Sequence, residues 1–148
     1  MTRYDYPERP TRRDERRSAP LFALMTAWAA GIIVLFVSQY LQMTLVFEHL
    51  DDADRLSTFG GRMLAIHLPN ALCIALATWA AARTHREPYR DSAARHLVAA
   101  LTVPVAAQLL NMSAQWSELA TEGLLMSNAV LVTGCAVGLA ADRLLHED

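Results

Sequence analysis

Four long apolar stretches, separated by short charged segments, dominate the pattern of this 148-residue chain. One helix needs roughly 20 mostly apolar residues to cross a bilayer core. Four stretches meet that length: residues 20–47, 62–82, 96–116 and 123–143. A soluble bundle would show a polar face along each helix, and none appears in the runs 21–37, 71–77 and 129–141. The pattern predicts an all-α fold of four transmembrane helices, and the short connections favour an antiparallel up-down bundle.

The charged residues predict how the chain is divided and oriented. Residues 1–17 combine low hydrophobicity, two prolines and mixed charge, which predicts a disordered tail before a single membrane domain at residues 18–148. All thirteen basic residues are arginine, and only Arg55 and Arg62 fall on the side of the predicted bundle opposite the two termini. Because arginine collects on the cytoplasmic side, we expect a multi-pass protein of the inner or plasma membrane with both termini in the cytoplasm.

Amide and imidazole side chains cluster in the extracytoplasmic half of all four predicted helices. Such groups are costly in hydrocarbon, so we expect them to face one another or water. Gln108, Asn111 and Gln115 share one face of the third helix because they are three and four residues apart. The candidate pocket-lining residues are Gln39, Gln42, His67, Asn70, Gln108, Asn111, Gln115 and Asn128. The same pattern also fits interhelical hydrogen bonds that only hold the bundle together.

Small residues indicate where two helices approach closely. Gly134 and Gly138 form a GxxxG pattern in the fourth helix, and Ala27 and Gly31 have a similar spacing in the first. Small side chains let helix backbones come together in a membrane. Gly134 and Gly138 are therefore predicted helix-packing residues, and the pattern fits packing within one chain or in a dimer.

Few residues point to catalysis or to a bound group. His67 lies beside Pro69, which is expected to kink the second helix, and fits either a structural or a proton-handling role. Cys73 and Cys135 fall in apolar stretches without a CxxC pattern, which favours small buried hydrophobic residues. The catalytic residues stay unknown, and we expect no cofactor and no metal. A net charge of −2 gives no reason to expect nucleic acid.

The layout also resembles the small four-helix membrane proteins of the anthrone-oxygenase-like family. The matching positions are a proline and an asparagine in the third span, a tryptophan in the outer loop and an asparagine at the start of the fourth: Pro104, Asn111, Trp116 and Asn128. Leu131 stands near the place where that family usually has arginine. The resemblance implies cofactor-independent oxidation of a flat aromatic polyketide in a membrane pocket.

Three functions stay open from the sequence. The first is a non-catalytic accessory subunit, or a bundle that binds a lipophilic molecule or a partner. The second is a membrane enzyme with a lipophilic substrate, which predicts a pocket with converging polar groups. The third is a small oligomeric transporter, which predicts a polar path to the cytoplasmic side. The expected partners are the lipid bilayer and either further copies of the chain or a larger membrane complex.

Overall fold

The computed structural model describes residues 12–49, 58–85, 92–114 and 121–145. These ranges form four long helices: α1 (Arg12–His49), α2 (Phe59–Thr84), α3 (Ala93–Ala114) and α4 (Thr121–Leu144). Within α2, a π-helical turn at Met63–His67 separates the α-helical segments Phe59–Arg62 and Leu68–Thr84.

Each of these helices contains a segment long and apolar enough to span a membrane. The segments are Pro20–Leu45, Phe59–Thr84, Ala93–Ala114 and Gly123–Leu144. Their outer surfaces are apolar as well, since Phe36 and Leu64 are each 73% exposed and Leu110 is 70% exposed. An apolar surface on this scale is typical of a protein surrounded by lipid. The prediction of an all-helical chain with four membrane-spanning-capable helices is confirmed for the described residues.

The start of α1 differs from the prediction. The helix begins at Arg12, so residues 12–17 of the predicted disordered tail are helical and Pro20 lies inside the helix instead of in its first turn. Arginine and glutamate have high helix propensity, which explains why the helix extends beyond the apolar stretch. Residues 1–11 of the predicted tail lie outside the described residues. With 38 residues, α1 is about 57 Å long and exceeds the thickness of a hydrocarbon core.

Small side chains on α2 allow α1 to pack closely against it. Ala77 and Ala81 are completely buried, and Gly31 of α1 lies against both of them. A Cβ atom on Gly31 would be 3.2 Å from the Cβ of Ala81 and 3.5 Å from the carbonyl oxygen of Ala77. Helix α2 also contacts α3 and α4, so each of the other three helices packs against it.

The two glycines of the GxxxG pattern pack against a different face of α2. A Cβ atom on Gly134 would lie 2.7 Å from the carbonyl oxygen of Ala71. A Cβ atom on Gly138 would lie 2.5 Å from the carbonyl oxygen of Ala75. These distances leave room only for hydrogen, so the structure uses the pattern inside the chain, between α4 and α2.

Candidate functional site

A cavity of about 920 Å³ lies between α1, α2 and α3. This volume falls in the upper part of the range of about 300–1,000 Å³ that is typical of small-molecule pockets. The lining is mostly apolar, and its polar groups are amide side chains, one threonine and the indole N–H of Trp28. Its residues are Trp28, Ile32, Leu35, Phe36, Gln39, Gln42, Met43, Ala65, Ile66, Asn70, Ile74, Thr102, Val103, Pro104, Ala106, Ala107, Gln108, Leu110 and Asn111.

The cavity opens at the side of the helix bundle. Phe36 and Met43 of α1 and Leu110 of α3 line the cavity and are also largely exposed on the outer surface. These side chains form an apolar rim between α1 and α3. In a membrane such an opening faces hydrocarbon, from which a lipophilic molecule can enter without crossing water.

Amide side chains from α1 and α2 meet along one part of the lining. The Nε2 atom of Gln39 donates a hydrogen bond of 3.1 Å to Oδ1 of Asn70. The Nε2 atom of Gln42 donates to the carbonyl oxygen of Ile66 at 3.4 Å, and its Oε1 accepts from Sγ of Cys73 at 3.3 Å. The amides therefore connect α1 with α2 while they line the cavity.

On α3, Gln108 and Asn111 line the same cavity. Gln108 also reaches α4, where its Nε2 atom donates a hydrogen bond to Oγ of Ser127. Thr102, which precedes Gln108 in α3, donates a hydrogen bond of 2.5 Å from its hydroxyl to the carbonyl oxygen of Val98 in the same helix. Five of the eight candidate residues are thus brought together: Gln39, Gln42, Asn70, Gln108 and Asn111.

Two of the other three candidates, His67 and Asn128, lie outside the lining. His67 is half-buried in the π-helical turn and is not part of the lining. Asn128 is exposed, and its Nδ2 atom donates to the carbonyl oxygen of Leu124 in its own helix at 2.8 Å. Gln115 lies outside the described residues, as does Trp116. His67 and Asn70 are three residues apart and would share a face of a regular α-helix, but a π-helical turn with its five-residue hydrogen bonds breaks that spacing.

The π-helical turn lies directly before Pro69, which has no N–H to donate to the preceding turn. The N–H of Leu68 bonds to the carbonyl oxygen of Met63, five residues earlier. Ile66, within this turn, offers its carbonyl oxygen to Gln42 across the helix interface. The irregular turn therefore supplies part of the contact between α1 and α2 beside the cavity.

A second polar cluster, which the sequence did not suggest, lies at the opposite ends of the helices. His96 at the start of α3 has its Nε2 atom 3.4 Å from Oδ2 of Asp142 near the end of α4. The ring of His85, directly after α2, lies 5.9 Å from the ring of His96. Asp142 and His85 are almost fully buried. The available signal was only that all three residues lie at helix ends on the same predicted side of the membrane.

The two cysteines belong to separate helix contacts. Cys73 faces Gln42 of α1, whereas Cys135 accepts a hydrogen bond of 3.7 Å from the hydroxyl of Thr78 on α2. Both are free and buried. Across the described parts of the chain, no group of three or more histidine, cysteine or acidic side chains is arranged to hold a metal ion.

Comparisons with protein-family models, with curated proteins and with solved structures found no match to this chain. Its class therefore rests on the helices and the cavity. Four membrane-spanning-capable helices indicate a small multi-pass membrane protein.

Proposed function

We propose that this protein binds a lipophilic molecule that enters the cavity between α1, α2 and α3 from the bilayer. The observation that carries the proposal is the cavity itself, with a volume of about 920 Å³, an apolar lining and a side opening. A few polar groups on a mostly apolar lining are typical of sites that orient a small molecule. The lining contains no ionisable side chain among the described residues.

Contacts between neighbouring helices support the up-down order of the bundle. Gly31 of α1 lies against Ala81 of α2, whereas Gln39, farther along α1, bonds to Asn70, which is earlier in α2. As residue numbers increase along α1, the numbers of the α2 residues that they contact decrease, as antiparallel helices require. The contacts between α3 and α4 follow the same order.

The arginines support an orientation for this bundle. Arg83, Arg95 and Arg143 lie near one set of helix ends, together with the arginine-rich N-terminal segment. Arg62 lies near the other set, close to the amide end of the cavity. By the positive-inside rule, both termini are cytoplasmic and the amides lie in the extracytoplasmic half of an inner or plasma membrane.

Specific observations favour lipophile binding over a docking subunit, a transporter and an oxygenase. A subunit that docks through its small-residue face is less well supported, since Gly134 and Gly138 are buried against α2. A transporter requires a polar path, whereas outside the amide group the described lining offers only the Thr102 hydroxyl and the Trp28 indole N–H. An oxygenase of the anthrone-oxygenase type would have to act without a basic side chain in the lining, where the polar groups are amides, one hydroxyl and one indole N–H.

The test compares two substitutions of exposed alanines. Ala106→Phe fills part of the cavity, whereas Ala136→Phe places the same ring on α4, away from the lining. Each protein is purified in mild detergent from the membrane that holds it, and its bound lipids are extracted and measured by mass spectrometry. We expect one lipophilic molecule, enriched over the bulk lipids, with the wild-type protein and Ala136→Phe. Ala106→Phe should lose it about tenfold, as a cost of about 1.4 kcal/mol would produce.

Identical lipid profiles for all three proteins would overturn the proposal. If the wild-type chain instead came out with other protein chains and no enriched small molecule, the accessory-subunit function would replace it.

A further inference from the structure

This inference rests on the proposed function and names the class of molecule that binds. We propose that the cavity holds an uncharged amphiphile with one apolar chain. Its head group, with carbonyl or hydroxyl oxygens, lies at the amides of Gln39 and Asn70. Its chain extends along α1 toward Trp28.

The lining selects against a charged head group. A carboxylate or phosphate would lose water on entering the cavity, and it would need a cationic partner to offset that cost. The described lining offers no cation, and Arg62 precedes the lining segment of α2 without being part of it. An uncharged head group avoids this cost because its oxygens can be satisfied by amides alone.

The amide groups can bond to such a head group. The hydrogen bond between Gln39 and Asn70 uses one N–H of the first and the oxygen of the second. Each side chain amide has two N–H donors and an oxygen acceptor. The oxygen of Gln39 and the amide nitrogen of Asn70 therefore keep bonding capacity for a ligand. A ligand hydroxyl can donate to the oxygen of Gln39, and a ligand carbonyl can accept from the amide nitrogen of Asn70.

The shape of the lining indicates one chain. On α1 the lining extends from Met43 near the amides to Trp28, fifteen residues away, which is about 22 Å along the helix. The side chains between them toward Trp28 are apolar: Ile32, Leu35 and Phe36. The volume of about 920 Å³ lies within the range of about 300–1,000 Å³ that is typical of sites for one small molecule. A molecule with one chain and a small head fits this description better than a two-chain phospholipid.

Trp28 provides a reporter at the chain end of the cavity. A protein with Trp79→Phe and Trp116→Phe keeps Trp28 as its one tryptophan, since the chain has three. It is placed in phosphatidylcholine nanodiscs at alkaline pH and titrated with a monoacylglycerol whose chain carries bromine, which quenches tryptophan fluorescence. The comparison ligand is the fatty acid with the same brominated chain, which carries a negative charge at this pH.

We expect the monoacylglycerol to quench Trp28 saturably, with half-quenching at a mole fraction at least about tenfold lower than the fatty acid needs. Ala106→Phe should remove the saturable part, and Ala136→Phe should keep it. Asn70→Leu should weaken binding of the monoacylglycerol several-fold. Asn128→Leu is the matched control, since Asn128 lies outside the lining and bonds within its own helix.

The alternative results separate the two proposals. Saturable quenching by both ligands at the same mole fraction, or a preference for the fatty acid, would overturn the uncharged head group and leave lipophile binding intact. If neither ligand quenches saturably and Ala106→Phe behaves like the wild-type protein, lipophile binding itself is overturned.

Discussion

Asp142 is a completely buried carboxylate in a membrane protein, and its contact with His96 explains how it is accommodated. The two side chains approach to 3.4 Å between Nε2 and Oδ2, and they join the end of α4 to the start of α3. A polar group buried at this place is costly unless it has partners. The cluster therefore fixes the helix ends on the side of the bundle opposite the amides.

Asp142→Ala should destabilise the protein by roughly 3 kcal/mol, because it removes the buried carboxylate and leaves the half-buried His96 without that contact. Arg143→Ala changes the exposed neighbouring residue and should stay within about 0.5 kcal/mol of the wild-type protein. Unfolding in detergent micelles measures both. Equal stability of the two variants would show that the contact contributes nothing.

The amide residues show how far single positions could be predicted. Their depth along the helices and their cost in hydrocarbon pointed to Gln39, Gln42, Asn70, Gln108 and Asn111, and these residues line one cavity. The two interpretations of the sequence, pocket lining and interhelical bonding, apply to the same residues. Asn128 could not be separated from the others by sequence, because its bond to its own backbone depends on the rotamer and not on its position.

At the level of helices, glycines decide how closely α4 approaches α2. Gly138 leaves no space for a methyl group, since a Cβ there would meet the backbone of α2 at 2.5 Å. Gly123, in the same helix, has nothing within 4 Å of an added Cβ. The two positions therefore form a natural pair in which the same substitution has opposite expected effects.

Gly138→Ala should cost about 1–3 kcal/mol because the helix backbones must separate. Gly123→Ala should leave stability unchanged or raise it by up to about 1 kcal/mol, since alanine is the better helix former. Thermal unfolding in detergent compares the two. A loss of stability for both, or for neither, would mean that the close approach of α4 and α2 does not stabilise the bundle.

The lengths of the four apolar stretches predicted the four helices. The ends of the segments long and apolar enough to span a membrane lie within three residues of the ends predicted from the sequence. The π-helical turn at Met63–His67 was not predictable, because Pro69 indicates only that a helix is disturbed and not how its hydrogen bonds rearrange. The start of α1 at Arg12 does not follow from the apolar pattern, because residues 12–17 are mostly charged and it is their high helix propensity that extends the helix.

In the whole molecule, the distribution of small residues explains why a cavity forms where it does. Alanine and glycine bring α1 and α4 close to α2, through Gly31 on one face and Gly134 and Gly138 on another. Between α1 and α3 the lining has larger side chains such as Trp28 and Phe36. The space between these helices is the cavity, and its apolar rim fits an entrance from lipid.

Binding from the bilayer requires that α2 crosses the membrane, and the proposed orientation places its amide end outside. Gly60 and Thr84 are exposed residues at its two ends, and the native Cys73 and Cys135 are buried. Single substitutions Gly60→Cys and Thr84→Cys, labelled with a membrane-impermeant maleimide in sealed right-side-out vesicles, measure this directly. We predict that Gly60→Cys reacts at once, that Thr84→Cys reacts only after permeabilisation, and that the wild-type protein does not react. Labelling of both positions from the outside would contradict the membrane-spanning bundle, and the reverse pattern would contradict its orientation.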